Sequence, residues 1–289
     1  MAEITQYSYA KVNLTLDVLQ KRPDSYHEVR MIMQTLKLRD IVRIKTDKAQ
    51  SGITVETNLP YLPTDRRNLA FKAAELFFAQ TGIENPGVSI TLFKRIPVSA
   101  GLAGGSGNAS AVLKGLNSLF EARLSHEKLL EMGLKLGADV PYCMTGGTAL
   151  AEGIGEKLKP LRKMPHAYVV LVKPPFSMST AAVYGALDSQ KIVKRPDTAG
   201  ALRAIEEGDL CALARRMYNV LFDVVRLKHR VVSEIRDELI LHGALGAVMS
   251  GSGPSVFGLF ENAEQAKAAY EALKKKVHDT FLTETENVV

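Results

Sequence analysis

Near the start of the chain apolar and polar side chains alternate. In "KVNLTLDV", Val12, Leu14, Leu16 and Val18 are interleaved with Lys11, Asn13, Thr15 and Asp17. This period of two predicts a half-buried strand whose polar face carries Lys11 and Asn13 together. "LRDIVRIKT", "GITVET" and "VSITLF" read as further strands. Elsewhere the period is helical. "NLAFKAAELFFAQTG" predicts a helix closed by Gly82. Ala109, Val112, Leu113, Leu116, Leu119 and Phe120 form an apolar stripe on a helix that the spacing starts near Asn108. Ser125 then caps a helix ended by Gly137.

The segment "EGIGEKLKPLRKMPH" is polar and turn-rich, which places a domain boundary there and predicts domains over 1–160 and 161–289. Beyond it lie a strand, "AYVVLVKPP", and helices through "ALRAIEEGDLCALARRMYNVLFDVV" and "RVVSEIRDELILHG". Strands "GAVMS" and "SVFGLF" then flank "GSGP", and a helix "NAEQAKAAYEALKKKV" and a short strand close the chain. This order predicts an α+β fold with a helix-backed antiparallel sheet. There is no internal repeat.

Composition narrows the partners. The chain has 289 residues, 46% hydrophobic and 24% charged, enough for one large core or two small ones. A net charge of +6 favours anionic ligands, but Lys and Arg are dispersed. The one basic cluster, Leu273 to Val277, ends a predicted helix and complements its dipole. Cys143 and Cys211 make neither a disulfide framework nor a metal-ligand spacing. The first residues lack the layout of a leader, and no apolar run reaches the ~18 residues of a membrane span. A reduced, cytoplasmic setting without membrane contact is expected.

The candidate chemistry centres on "PVSAGLAGGSGNASA", Pro97 to Ala111, where a strand meets a helix through Gly101, Gly104, Gly105 and Gly107. Free backbone N–H groups and the positive end of a helix dipole converge there, and glycines let an anion come close. A phosphate loop is the reading, but of neither common kind. "GGSGNAS" lacks the Gly-Lys-Ser/Thr of a Walker loop, and a second helix follows where a dinucleotide fold needs a strand.

The loop resembles the ATP loop of the small-molecule kinases that include galactokinase, homoserine kinase and mevalonate kinase. Within them, "AKVNLTLDVLQKRPDSYHEV" resembles the first strand and substrate loop of the 4-diphosphocytidyl-2-C-methyl-D-erythritol kinases. "LGADVPYCMTGGTALAEGIGE" is similar to their catalytic-aspartate segment, and "VMSGSGPSVFGLF" to the C-terminal glycine motif of the whole group. The likeness runs from about Ala10 to Phe260. Two departures stand out. Ser25 replaces a usual glycine, and Gly107-Asn108 stands where many members have Ser or Ala followed by Asp.

The resemblance implies a two-domain small-molecule kinase fold, with a ribosomal-protein-like N-terminal ATP domain and a ferredoxin-like C-terminal domain. It implies ATP and Mg²⁺ as cofactors, and a small-molecule cytidine diphosphate alcohol phosphorylated at its 2-hydroxyl. Lys11 and Asp139 fall at the catalytic positions, a pairing that suits phosphoryl transfer to an alcohol. Pro97, Val98, Ser99, Ala100, Gly101, Leu102, Ala103, Gly104, Gly105, Ser106 and Gly107, with Asn68 and Leu69 on the adenine side, are implied to bind ATP. Ser106 is the implied metal ligand. Asn13, Tyr26, His27, Thr180 and Tyr184 are implied to hold the substrate. A sibling kinase for mevalonate or homoserine is the alternative, but those substrates offer no base for Tyr26 and His27. A nucleic-acid-binding module would need clustered Lys and Arg interleaved with aromatics, and that pattern is missing.

Overall fold

A long antiparallel ribbon begins the fold. In the computed structural model, which describes residues 2–46 and 52–287, β1 (Glu3–Lys21) pairs along its length with β2 (His27–Thr46). The turn between them is tight. Arg22 N–H donates to Tyr26 O at 2.8 Å, and Ser25 sits at φ 69°. Ser25 thus occupies the left-handed region that glycine enters freely, at a cost to serine of roughly 1 kcal/mol.

β1 departs from the expectation of a half-buried strand. Lys11, Asn13, Thr15 and Asp17 are buried, as are Val12, Leu14, Leu16 and Val18. Register shifts at Tyr9/Lys11, Asn13/Thr15 and Val18/Gln20 break the simple alternation. The polar face of β1 is covered by elements distant in sequence.

β3 (Ile53–Thr57) and α1 (Leu69–Thr81) lead to β4 (Val88–Phe93), and α2 (Gly104–Leu119), α3 (His126–Leu136) and α4 (Val140–Thr145) follow. β5 (Thr148–Gly153) and β6 (Lys157–Pro160) form a hairpin in a stretch whose turn-like composition hid them. Then come β7 (Tyr168–Val172), α5 (Thr180–Asp188), α6 (Thr198–Glu207), α7 (Leu210–Ala214), β8 (Tyr218–Asn219), α8 (Val220–Lys228) and α9 (Val231–Leu241). β9 (Gly246–Met249), β10 (Val256–Phe260), α10 (Ala263–Lys274) and β11 (Thr280–Glu286) complete the order.

The sheet runs β3-β4-β2-β11-β7-β10-β9. β2 is its hub, with β1 on one edge and β5, β11 and β4 in turn along the other. β11 joins the halves, pairing with β7 over Thr280 to Glu284 and with β2 at Thr285 and Glu286. The mixed helices and strands are the α+β class the sequence implies. One core cluster packs α1 to α4 against the sheet through Phe77, Ile90, Val112 and Leu116. A second combines Val12 and Leu14 of β1 with Val169, Leu171 and Phe257.

One buried charge sets the entry to the glycine loop. Asp40, in β2, is fully buried. Its Oδ1 accepts the amides of Arg95 at 2.7 Å and Ile96 at 2.8 Å, and its Oδ2 accepts Asn108 Nδ2 at 3.0 Å and the Lys94 ammonium. Lys94 Nζ also donates to Asn108 Oδ1 at 2.7 Å. The end of β4 and the first turns of α2 are thereby tied to one carboxylate. Asp40→Asn leaves the buried Lys94 ammonium uncompensated and is expected to cost about 3–5 kcal/mol in urea unfolding. A loss below about 1 kcal/mol would show that Lys94 finds another partner.

Candidate active site

The glycine loop is bent through unusual backbone. Ser99 and Ala103 have φ of 52° and 55°, and Gly101 has φ 75°. The helix behind it starts earlier than the spacing predicts. α2 begins at Gly104, not near Asn108, so Gly104, Gly105 and Ser106 form its first turn. Apolar periodicity could not detect a turn made of glycines. The first intrahelical bond runs from Gly107 N–H to Ala103 O at 2.8 Å. The amides of Gly104, Gly105 and Ser106 therefore precede the helix's own hydrogen bonding and face outward as donors.

Two other segments close on the loop. Lys11 N–H of β1 donates to Leu102 O at 3.2 Å. From the β9–β10 turn, Ser250 Oγ donates to Gly101 O at 2.9 Å, and Gly251 N–H donates to Asn13 Oδ1 at 3.0 Å. The turn is held from behind by the buried Asn219, whose Nδ2 donates to Met249 O and Gly251 O, both at 2.8 Å. Contact with Gly101 is backbone to backbone. A Cβ added there would lie 2.2 Å from Ser250 O.

At the junction stands a charged pair. Lys11 Nζ donates to Asn13 Oδ1 at 2.9 Å and lies 3.7 Å from Asp139 Oδ2. Lys11 is 5% exposed and Asp139 34%. Asp139 occupies the N-cap position of α4, yet its side chain makes no capping bond. The carboxylate is turned to the cavity instead. Its negative charge is felt nearby, since burial first and Asp139 second push the Cys143 thiol up to about 12. The same causes raise the Tyr184 hydroxyl.

The far end is aromatic. His27 packs against Tyr184 with ring centroids 4.8 Å apart and planes tilted by 34°, and Tyr26 is 59% exposed at the ribbon turn. Asp188, the last residue of α5, meets His27 Nε2 at 2.7 Å and Lys21 Nζ at 2.6 Å. Thr180, the first residue of α5, shares a hydrogen bond of 2.8 Å with Ser252.

The glycine loop, the charged pair and the aromatic end line one cavity of about 960 Å³. Among the expected residues it gathers Lys11, Asn13, Tyr26, His27, Asn68, Leu69, Asp139, Thr180 and Tyr184, and every loop residue from Pro97 to Ser106. Gly107 is not on its wall. A Cβ at Gly107 would lie 2.4 Å from Ser8 Oγ, so this glycine lets α2 approach β1. Asn68 caps α1 through its Oδ1 and donates to Pro63 O, which leaves part of its amide for a ligand. Among the described residues no group of three or more His, Cys, Asp or Glu could hold a metal. Lys21 and Ser252 also line the cavity, from the substrate-loop and C-terminal glycine segments, and so do Lys94 and Asp188, which nothing in their local sequence marks.

The geometry meets known proteins at this point. The family model "GHMP kinases N terminal domain" matches residues 68–147, and "GHMP kinases C terminal" matches 201–279. A 4-diphosphocytidyl-2-C-methyl-D-erythritol kinase from Acetivibrio thermocellus is 49% identical over 99% of this chain and 100% of its own. One from Alkaliphilus metalliredigens is 46% identical over 99% of this chain and 97% of its own. The chain belongs to the 4-diphosphocytidyl-2-C-methyl-D-erythritol kinases of the GHMP family. A crystal structure of a 4-(cytidine 5'-diphospho)-2C-methyl-D-erythritol kinase superposes with a TM-score of 0.83 at 33% identity, covering 99% of this chain and 100% of that one. The crystal structure of L. major mevalonate kinase in complex with R-mevalonate reaches a TM-score of 0.79 at 20% identity over 99% of this chain and 97% of that one, which is a likeness of fold. In this kinase family member the cavity is the candidate active site.

The glycines of the loop are expected to fail differently. A Cβ at Gly105 meets only Leu69 Cδ1 at 3.6 Å. Gly105→Val should keep its melting temperature and weaken ATP binding, because the branched side chain fills space at the open helix end. Gly101→Ala should lose about 1–3 kcal/mol of stability, since both its φ and Ser250 O oppose a side chain. Isothermal titration with ATP and thermal melts check both. Unchanged ATP affinity in the folded Gly105→Val protein would separate this helix end from the nucleotide.

Proposed function

We propose that Lys11 and Asp139 carry the chemistry by which this ATP-dependent kinase phosphorylates the 2-hydroxyl of 4-diphosphocytidyl-2-C-methyl-D-erythritol, an isoprenoid precursor. The observation that carries the assignment is their 3.7 Å pairing in the same cavity as the open amides of α2. Asp139 makes no capping bond, so its carboxylate can accept or orient the proton of the acceptor hydroxyl. Lys11, held by Asn13, presents a fixed positive charge where negative charge develops on the transferred phosphoryl group. The reaction needs little more from the protein than positioning and such electrostatic support.

The two ends of the cavity divide the ligands. The loop from Pro97 to Ser106 holds the phosphates of ATP, with Asn68 and Leu69 beside the adenine. Tyr26, His27 and Tyr184 hold the cytosine, and Asn13 and Thr180 hold the remainder of the substrate. An aromatic end suits a base, which mevalonate and homoserine lack. Mg²⁺ fits a site of this composition when phosphate oxygens supply most of its ligands, as that ion prefers. Ser106 would hold it from the protein side, and it would neutralise phosphate charge. Residues 1–160 form the ATP domain in this reading and 161–289 the second domain. Among the described residues no helix is long and apolar enough to cross a membrane. We place the enzyme in the cytoplasm, with small molecules as its partners.

Asp139→Asn keeps the shape of the side chain but cannot take a proton. It should lower kcat by about 10²–10⁴ with little change in either KM. Lys11→Met should lower kcat as well, and a double variant little worse than the poorer single one is expected of groups that act as a unit. Coupled ADP release with the cytidine substrate, mevalonate and homoserine measures turnover and choice together. Near wild-type turnover by Asp139→Asn would remove the base assignment, and comparable rates on mevalonate would remove the cytosine end.

A further inference from the structure

The cavity contains a carboxylate for which phosphoryl transfer has no use. Asp188 ends α5, where a negative charge opposes the helix dipole, so helix stability does not account for it. It is met by groups more than 160 residues away in sequence, Lys21 at the end of β1 and His27 at the start of β2. The hydrogen bonds from Lys21 and then His27 hold its carboxyl below the usual range. Asp188 therefore stays ionised and can only accept. In the neutral imidazole the proton must then sit on Nε2, which leaves a lone pair on Nδ1. Tyr184 packs against the ring at a tilt of 34°, and only 8% of the His27 side chain is exposed. With Nε2 engaged by Asp188, Nδ1 is the hydrogen-bonding atom that the ring itself has left for a ligand.

We infer that Asp188 is a positioning residue for base recognition: it fixes the His27 ring so that Nδ1 accepts a hydrogen bond from the exocyclic amine of cytosine. Uracil carries an acceptor at that place, so the same arrangement disfavours a uridine counterpart. Lys21 balances the charge of Asp188 and keeps it directed at the ring. This rests on the reading that puts the base at Tyr26, His27 and Tyr184.

The test uses the full-length enzyme with ATP, the cytidine substrate and its uridine counterpart. Asp188→Ala should raise KM for the cytidine substrate by about tenfold, the scale of one lost hydrogen bond to a charged partner, and leave KM for ATP unchanged. The cytidine-to-uridine ratio of kcat/KM should narrow by a similar factor, and Asp188→Glu should recover part of both losses. In the free wild-type enzyme, ring ¹⁵N shifts should report the Nε2-protonated tautomer of His27, and Asp188→Ala should lose it. Equal rises in both KM values, or an unchanged cytidine-to-uridine ratio, would overturn the inference. Tyr26→Ala separates the two levels. If it raises the cytidine KM while Asp188→Ala does not, only the role of Asp188 falls; if neither does, the base site itself is misplaced.

Discussion

The contact between two turns, made by backbone and by the hydroxyl of Ser250, governs the geometry of this molecule. Gly101 and Ser250 approach so closely that a Cβ on the former would lie 2.2 Å from the carbonyl oxygen of the latter. Ser250 Oγ holds Gly101 O, Gly251 N–H holds Asn13, and Asn13 in turn holds Lys11. The glycine loop, the first strand and the β9–β10 turn are thus locked in one hydrogen-bonded circuit. Shift any of the three and the ammonium of Lys11 moves relative to the open end of α2. Asn219 steadies the circuit from the interior, where a buried amide with three partners is firmly placed.

Two buried lysines show how burial sorts similar side chains. Lys94 is enclosed with Asp40 and Asn108, so its charge is balanced within the protein and it fixes how β4 enters the loop. Lys11 has a neutral amide at 2.9 Å and the Asp139 carboxylate further off at 3.7 Å. Its nearer partner leaves the positive charge only partly offset, and the carboxylate remains partly exposed to the cavity. A charge arranged this way can interact with an anion that arrives later. The same contrast separates Asp40, which is saturated with donors, from Asp139, which makes no capping bond.

Local pattern and motif carried much of this in the sequence. Helices closed by Gly82 and Gly137, and capped by Ser125, follow from rules that act over a few residues, and they stand where the spacing places them. The β9–turn–β10 unit and the final helix were equally legible. Legibility failed where local signals conflict with what the chain does. β5 and β6 lie in a glycine- and lysine-rich stretch and become strands because β5 pairs with β2 and β6 with β5. The first turn of α2 is glycine, the weakest of the common helix formers, and Ala103 in the left-handed region sets its start.

The amino-acid sequence by itself determined the secondary elements of strong period, the presence of the glycine loop, and the family to which the chain belongs, because each of these is written in short local stretches of the chain. The tertiary structure alone decided that both faces of β1 are buried from Lys11 to Val18, that Lys11 lies beside Asp139, and that Gly107 serves packing while Gly101 to Ser106 line the cavity. It also brought Asp188 to His27 and Asp40 to Lys94, pairs that no spacing announces. The physical reason is the same throughout. Hydrogen bonds within a turn of helix or along a strand depend on neighbours in sequence, whereas the environment of a charge depends on whatever the folded chain carries to within a few ångströms of it.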